Sequence, residues 1–274
     1  MTVVVASCNL KQIFNNQPIV ATDGENEIAI TGQLAIPEYQ RPYRWTDVQI
    51  DRLFQDYRHY LDDITQSESA YKYYLGSVIL HQSEEHGCLN IIDGQQRLTT
   101  LALIAFVQSL AEGKPLEFSL SYDSPESQQQ IMHNLAWLKE NTANMLVNFD
   151  LEKINLTLVV TNCEDDAYRF FETQNTGGVR LKGPDIIKAH HLRAVDDMDK
   201  LATNDFAKKW ESLGDLNSVV SSLLRGRYWQ KLEWRSLPLH NQKSKIRGKI
   251  VEELAEHTSK GNDRAFGRIQ RIFN

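Results

Sequence analysis

Apolar positions recur along this chain with two different periods, and the switches between them mark its elements. Ile50, Leu53, Phe54, Tyr57, Leu61 and Ile64 fall three and four apart, the spacing of one buried helix face. Thr46 and Gln49 form a capping-box pattern in front of them, and the polar stretch Thr65 to Ser69 ends the run. Tyr73 to Leu80 is rich in aromatic and branched residues and reads as a strand, with Gly76 inside it signalling close backbone approach. A turn at Glu84 to Gly87 returns the chain to a second strand, Leu89 to Ile92.

A helix is expected from Gln95 to Leu110. Its Leu98, Leu101, Leu103, Ile104, Phe106, Val107 and Leu110 lie nearly all round, so it should be buried. Ser124 to Asn144 reads as a further helix, and the alternation Ile154, Leu156, Leu158, Val160 as a half-buried strand. Helices are also expected at Asp165 to Thr173 and from Gly183-Pro184-Asp185, separated by a turn through Gly177-Gly178. After about Met198 the pattern is helical to the end, and the last helix, Ala265 to Phe273, stops without a cap, so the chain is expected to continue in the natural protein. Strands mixed with helices in this order indicate an α/β (α+β) fold.

The most informative stretch is Ile92-Asp93-Gly94-Gln95-Gln96-Arg97, where a strand ends, a glycine turns the chain and a buried helix begins. The first-turn N–H groups of a helix lack intrahelical acceptors and sit at its positive end, which suits a phosphate; Arg97 adds a permanent charge. Asp93 and Gln96 also fit a capping box, which needs no ligand. A cap alone does not call for Arg97. Asp93, Gln95, Gln96 and Arg97 together offer a carboxylate for a metal ion or water, amides to orient it and a guanidinium for developing charge. Gln40-Arg41 offers a second amide and guanidinium, flanked by Tyr39, Tyr43 and Trp45, whose faces suit a base or sugar or simply pack around Pro37 and Pro42.

Composition bounds these options. The 274 residues are long enough for one large domain or two modest ones, and 41% apolar with 24% charged residues is ordinary for a soluble protein. No apolar run is long enough to cross a bilayer, and the start lacks a basic, apolar leader, so a cytoplasmic location is expected. Cys8, Cys88 and Cys163 form no C-x-x-C pair, and the eight histidines show no metal-ligand spacing. Neither a G-x-x-x-x-G-K-[ST] nor a G-x-G-x-x-G phosphate loop occurs.

Net charge is −6, but from Arg225 onward twelve basic residues face five acidic ones, leaving −13 on the first 224 residues. That makes Arg225, Arg227, Lys243, Lys245, Arg247 and Lys249 the candidate DNA footprint, or else one solvated helical face.

Four blocks occur in a fixed order: Ile36-Pro37-Glu38-Tyr39-Gln40-Arg41, Tyr74-Leu75-Gly76-Ser77-Val78, Ile92 through Asp93-Gly94-Gln95-Gln96-Arg97 to Leu101, and Phe171 through Asn175-Thr176-Gly177 to Asp185-Ile186-Ile187-Lys188. In this order they resemble the N-terminal domain of GmrSD-type, modification-dependent restriction enzymes, over about residues 10 to 195. The resemblance implies a ParB/sulfiredoxin-like mixed-sheet domain over residues 1–195, followed by a helical, basic region over residues 196–274. It implies a nucleoside triphosphatase serving restriction of phage DNA with modified bases or phosphorothioate links. Asp93, Gln95, Gln96 and Arg97 then become the catalytic nucleotide site, with Tyr39, Gln40, Arg41, Gly94 and Asn175 as nucleotide-binding neighbours. Mg on Asp93 and GTP, CTP or UTP ahead of ATP are the cofactors it implies.

Many such relatives continue into a His-Asn-His nuclease domain, whereas the late histidines here, His240 and His257, lack that constellation. DNA cutting is therefore expected from a partner subunit or a further domain, and a homo-oligomer is a further expected partner. The alternative is a non-hydrolytic DNA- or protein-binding module of the same fold.

Overall fold

The computed structural model describes residues 3–23, 26–67, 71–83, 87–113, 118–141, 149–163 and 200–214, with runs of one to three positions elsewhere between 166 and 222. Contacts group the chain into two compact units, residues 1–37 with 42–178, and residues 38–41 with 179–274.

The first unit is built on a mixed sheet. Its strands are β1 (Val3–Asn9), β4 (Gln33–Ala35), β5 (Tyr73–Ser83), β6 (Cys88–Asp93) and β7 (Ile154–Thr161), in the order β1-β7-β5-β6-β4. Strand β7 runs antiparallel to β1 and parallel to β5, while β6 runs antiparallel to β5 and parallel to β4. β2 (Ile19–Asp23) and β3 (Asn26–Ile30) form a separate antiparallel pair. The helices are α1 (Leu10–Phe14), α2 (Asp47–Ser67), α3 (Gln95–Glu112) and α4 (Pro125–Asn141). This is the α+β class expected from the sequence.

The periodicities account for most of these elements. The apolar members of β7 alternate with half-exposed neighbours, and α2 buries Ile50, Leu53, Phe54, Tyr57 and Tyr60. In front of α2, Gln49 Oε1 accepts from the backbone N–H of Thr46 at 2.8 Å and from its hydroxyl at 2.9 Å, the reciprocal half of a capping box. Helix α3 is buried on nearly all sides as far as Val107, apart from Phe106, which with Leu110 in the last turn is exposed against expectation; Leu98, Leu101 and Ile104 join Val78, Leu80, Leu89 and Ile91 of the sheet in one core. Strand β1, which begins Val3-Val4-Val5, pairs with β7 along its length and was not anticipated as a strand. Its Cys8 is buried, which pushes the thiol up to about 11.

β5 carries the irregularity that matters for the site. Tyr74 pairs with Asn155 and Ser77 with Thr157, so three steps along β5 meet two along β7. That leaves one extra residue, a β-bulge, at Leu75-Gly76. Gly76 has φ +109°, a conformation open to glycine and strained for other residues.

The second unit contains α5 (Lys200–Ser212). There Lys188, 3% exposed, reaches Glu211 Oε1 at 2.8 Å, which partners a charge too costly to bury alone. No helix among the described residues is long and apolar enough to cross a membrane.

Candidate functional site

Strand β6 delivers Asp93 to the start of α3 through one residue. Gly94 has φ +95° and ψ 0°, and a Cβ on it would lie 2.9 Å from Val78 Cγ2, so both the turn and the packing require glycine. The helix N-cap is Gly94, and no side chain caps it. The capping box read from Asp93 and Gln96 is therefore not formed, because Gln96 is engaged elsewhere. The first intrahelical bond runs from Leu98 N–H to Gly94 O at 2.9 Å.

Each polar residue of the turn serves a different neighbour. The Arg97 guanidinium donates through Nη1 to Leu75 O at 3.1 Å and through Nη2 to Ser77 O at 2.6 Å, straddling the bulge at Gly76. Nη2 also lies 3.3 Å from Asp93 Oδ2, with the two side chains 25% and 30% exposed. A guanidinium has five N–H donors. Among the described residues, Nε–H and the second Nη1 N–H find no protein acceptor, nor does Asp93 Oδ1 find a donor.

Gln96 is buried and turned inward. Its Oε1 accepts from Arg44 N–H at 2.8 Å and Trp45 N–H at 3.2 Å, and its Nε2 donates to Pro42 O at 3.1 Å. The extended segment Pro42–Trp45 thus finds in one side chain the acceptor and donor that a strand neighbour would supply. Ser127 Oγ accepts from Tyr43 N–H at 3.0 Å, and Asn134 Nδ2 donates to Trp45 O at 2.7 Å. Arg44 forms a largely exposed pair with Glu126 of α4 at 2.8 Å.

Within this strap the side chain of Tyr43 is fully buried. Its hydroxyl bonds Thr100 Oγ1 at 2.8 Å and accepts from Asn134 Nδ2 at 3.0 Å, and burial raises its pKa. Tyr43→Phe leaves both partners short of a bond inside the core and is expected to cost about 1–2 kcal/mol, read as a lower urea midpoint at unchanged slope.

Gln95 is buried as well. Its Nε2 lies 3.4 Å from the hydroxyl of Tyr122, which also bonds Thr99 Oγ1. Burial pushes the Tyr122 hydroxyl up to about 12, so it stays protonated and a donor.

The structure therefore brings Asp93, Gly94, Gln95, Gln96 and Arg97 together on one turn, with Gln95 and Gln96 facing inward and the Asp93–Arg97 pair at the surface. Gln40 is buried and Tyr39 and Arg41 half-buried on the Glu38–Arg41 segment that groups with the second unit. Asn175 and Arg225, Arg227, Lys243, Lys245, Arg247 and Lys249 lie outside the described residues. Thr99, Thr100, Tyr122, Ser127 and Asn134 were not singled out from the sequence. Two threonines inside an apolar helix were the available signal, since buried hydroxyls need partners.

No group of three or more His, Cys, Asp or Glu that could hold a metal ion occurs among the described residues. An Mg ion is commonly held by one or two carboxylates plus phosphate oxygens and water, and Asp93 fits that mode.

No curated protein matches the chain. The model of the family described as GmrSD restriction endonuclease, N-terminal domain, matches residues 23–192, a span containing the bulge, the glycine turn and the strap. With that match over more than half its length, the chain belongs to the GmrSD restriction endonuclease N-terminal domain family, and thus with the components of DNA restriction.

Proposed function

We propose that this chain binds a nucleoside triphosphate at the Asp93–Arg97 turn and hydrolyses it, acting as the sensor component of a modification-dependent restriction system. One observation carries the reading: an uncapped helix start on a left-handed glycine lies beside a part-exposed guanidinium with N–H groups, and a carboxylate with an oxygen, that find no partner among the described residues. Backbone N–H groups and Arg97 suit the phosphates, and Asp93 suits Mg, which supplies charge neutralisation on the triphosphate when bound. Tyr39, Gln40, Arg41 and Asn175 are assigned to the base and sugar by family resemblance, with GTP, CTP or UTP ahead of ATP. Cleavage of modified phage DNA falls to a partner subunit or further domain, and the basic residues from Arg225 to Lys249 are assigned to DNA.

Phosphate release in the presence of modified phage DNA and the partner nuclease tests this. Asp93→Asn keeps the shape and the bond to Arg97 but removes the charge, and is expected to lower turnover by about 100-fold. Equal background rates in the wild type and Asp93→Asn, with each of the four triphosphates, reject hydrolysis.

A second reading has its own support. Gln96 and Arg97 both hydrogen-bond the protein's own backbone, as they would in a non-hydrolytic DNA- or protein-binding module. Calorimetry separates the two, because such a module gives no heat with GTP, CTP, UTP or ATP in magnesium.

A further inference from the structure

We infer that Gln96 is a positioning residue for the proposed triphosphate site: it fixes the first turn of α3 against the Pro42–Trp45 strap and does not itself touch the nucleotide. The inference rests on the reading above and refines which residues of the turn meet the ligand.

The hydrogen bonds assign the work. Both polar atoms of Gln96 are used, Oε1 by two backbone N–H groups and Nε2 by a carbonyl, and the side chain is buried. An amide so employed has little left for a phosphate or an attacking water. Arg97, one residue on, grips the opposite flank at Leu75 O and Ser77 O. The first turn of α3 is thus held between a strap on one side and a strand bulge on the other. What the turn offers a ligand is its backbone N–H groups, and those point usefully only while the turn is fixed.

The strap is held in turn by Ser127 and Asn134 of α4, so Gln96 joins α3 to a segment already anchored elsewhere.

A group that preorganises phosphate-binding N–H groups strengthens ground state and transition state alike, so its loss appears in KM. With DNA and the partner nuclease present, Gln96→Ala is expected to raise the KM for the triphosphate about tenfold with kcat within about twofold. Amide hydrogen exchange supplies the readout independent of turnover. In Gln96→Ala the Arg44 and Trp45 amides lose their acceptor and should exchange about 100-fold faster. Gln96→Glu retains an acceptor oxygen and should keep those two amides protected, while losing the donation to Pro42 O.

A kcat collapse at unchanged KM, with Arg44 and Trp45 still protected, would overturn the inference and return Gln96 to the reacting atoms. Should the wild type fail to turn over any triphosphate, the proposed function falls, and the exchange of these two amides still decides whether Gln96 holds the strap.

Discussion

Arg97→Ala is expected to remove about 3 kcal/mol of folding stability and to reduce triphosphate turnover by about a thousandfold. The stability loss comes mainly from the two bonds to Leu75 O and Ser77 O at 3.1 and 2.6 Å. Bonds from a charged donor are worth about 1.5–3 kcal/mol each, and the side chain's 25% exposure argues for the lower half of the summed range. The ion pair with Asp93 adds little, because both partners are part-exposed and its distance is 3.3 Å. The turnover loss has a different origin: a guanidinium on a transferring phosphoryl group offsets charge that develops only in the transition state.

Arg97→Lys separates the two roles. An ammonium restores the charge but lacks the planar fork that spans carbonyls on both sides of Gly76, so stability should return only in small part. Urea unfolding and phosphate release, measured below the midpoint of the least stable variant, read the two effects separately. A variant that is unstable yet fully active while folded would make Arg97 a structural clip alone. One that is stable yet inactive would free it from the bulge.

The hydrogen bonds these side chains make explain which parts of the site the sequence disclosed. The glycine turn was legible because a strand ending in Asp93 and a buried helix opening one residue later leave only Gly94 to reverse the chain, and its φ of +95° is that reversal. Gly76 was legible as a close approach because it is a glycine inside a strand of aromatic and branched residues, although nothing local named Arg97 as the group approaching it. Gln96 was the instructive case. Its spacing from Asp93 satisfies a capping box, but a buried amide finds more partners in the three backbone groups of Pro42, Arg44 and Trp45 than in one helix end. Those partners lie about fifty positions earlier in a segment without regular structure, and local pattern carries no trace of such a pairing.

The fold divided along the same line. Helix α2 and strand β7 bury a face with a clear period, α3, β5 and β6 are apolar runs bounded by turns, and all five were anticipated within a few residues. Strands β1 to β4 and the short helix α1 were missed. All but β1 span five residues or fewer, and β1 mixes buried Ala6 and Cys8 with an exposed Val5, so no clean alternation of apolar and polar residues announces it.

Gly76→Ala is the sharpest test of the bulge, expected to cost about 2–4 kcal/mol in the wild-type background. Two effects contribute. At φ +109° any side chain strains the backbone, and a Cβ there would lie 2.6 Å from Arg97 Nη1. The arginine tip is flexible in principle, but here its bonds to Leu75 O and Ser77 O hold it against the bulge, so making room for a methyl group means giving them up. The two contributions separate in a double-mutant cycle. In Arg97→Ala the clash has no partner and only backbone strain remains, so adding Gly76→Ala should then cost about 1–2 kcal/mol less than it does in the wild type. Urea midpoints of the four proteins at constant slope measure the difference. Strict additivity would mean that the backbone alone requires glycine, and that the guanidinium merely lies beside a bulge it does not hold.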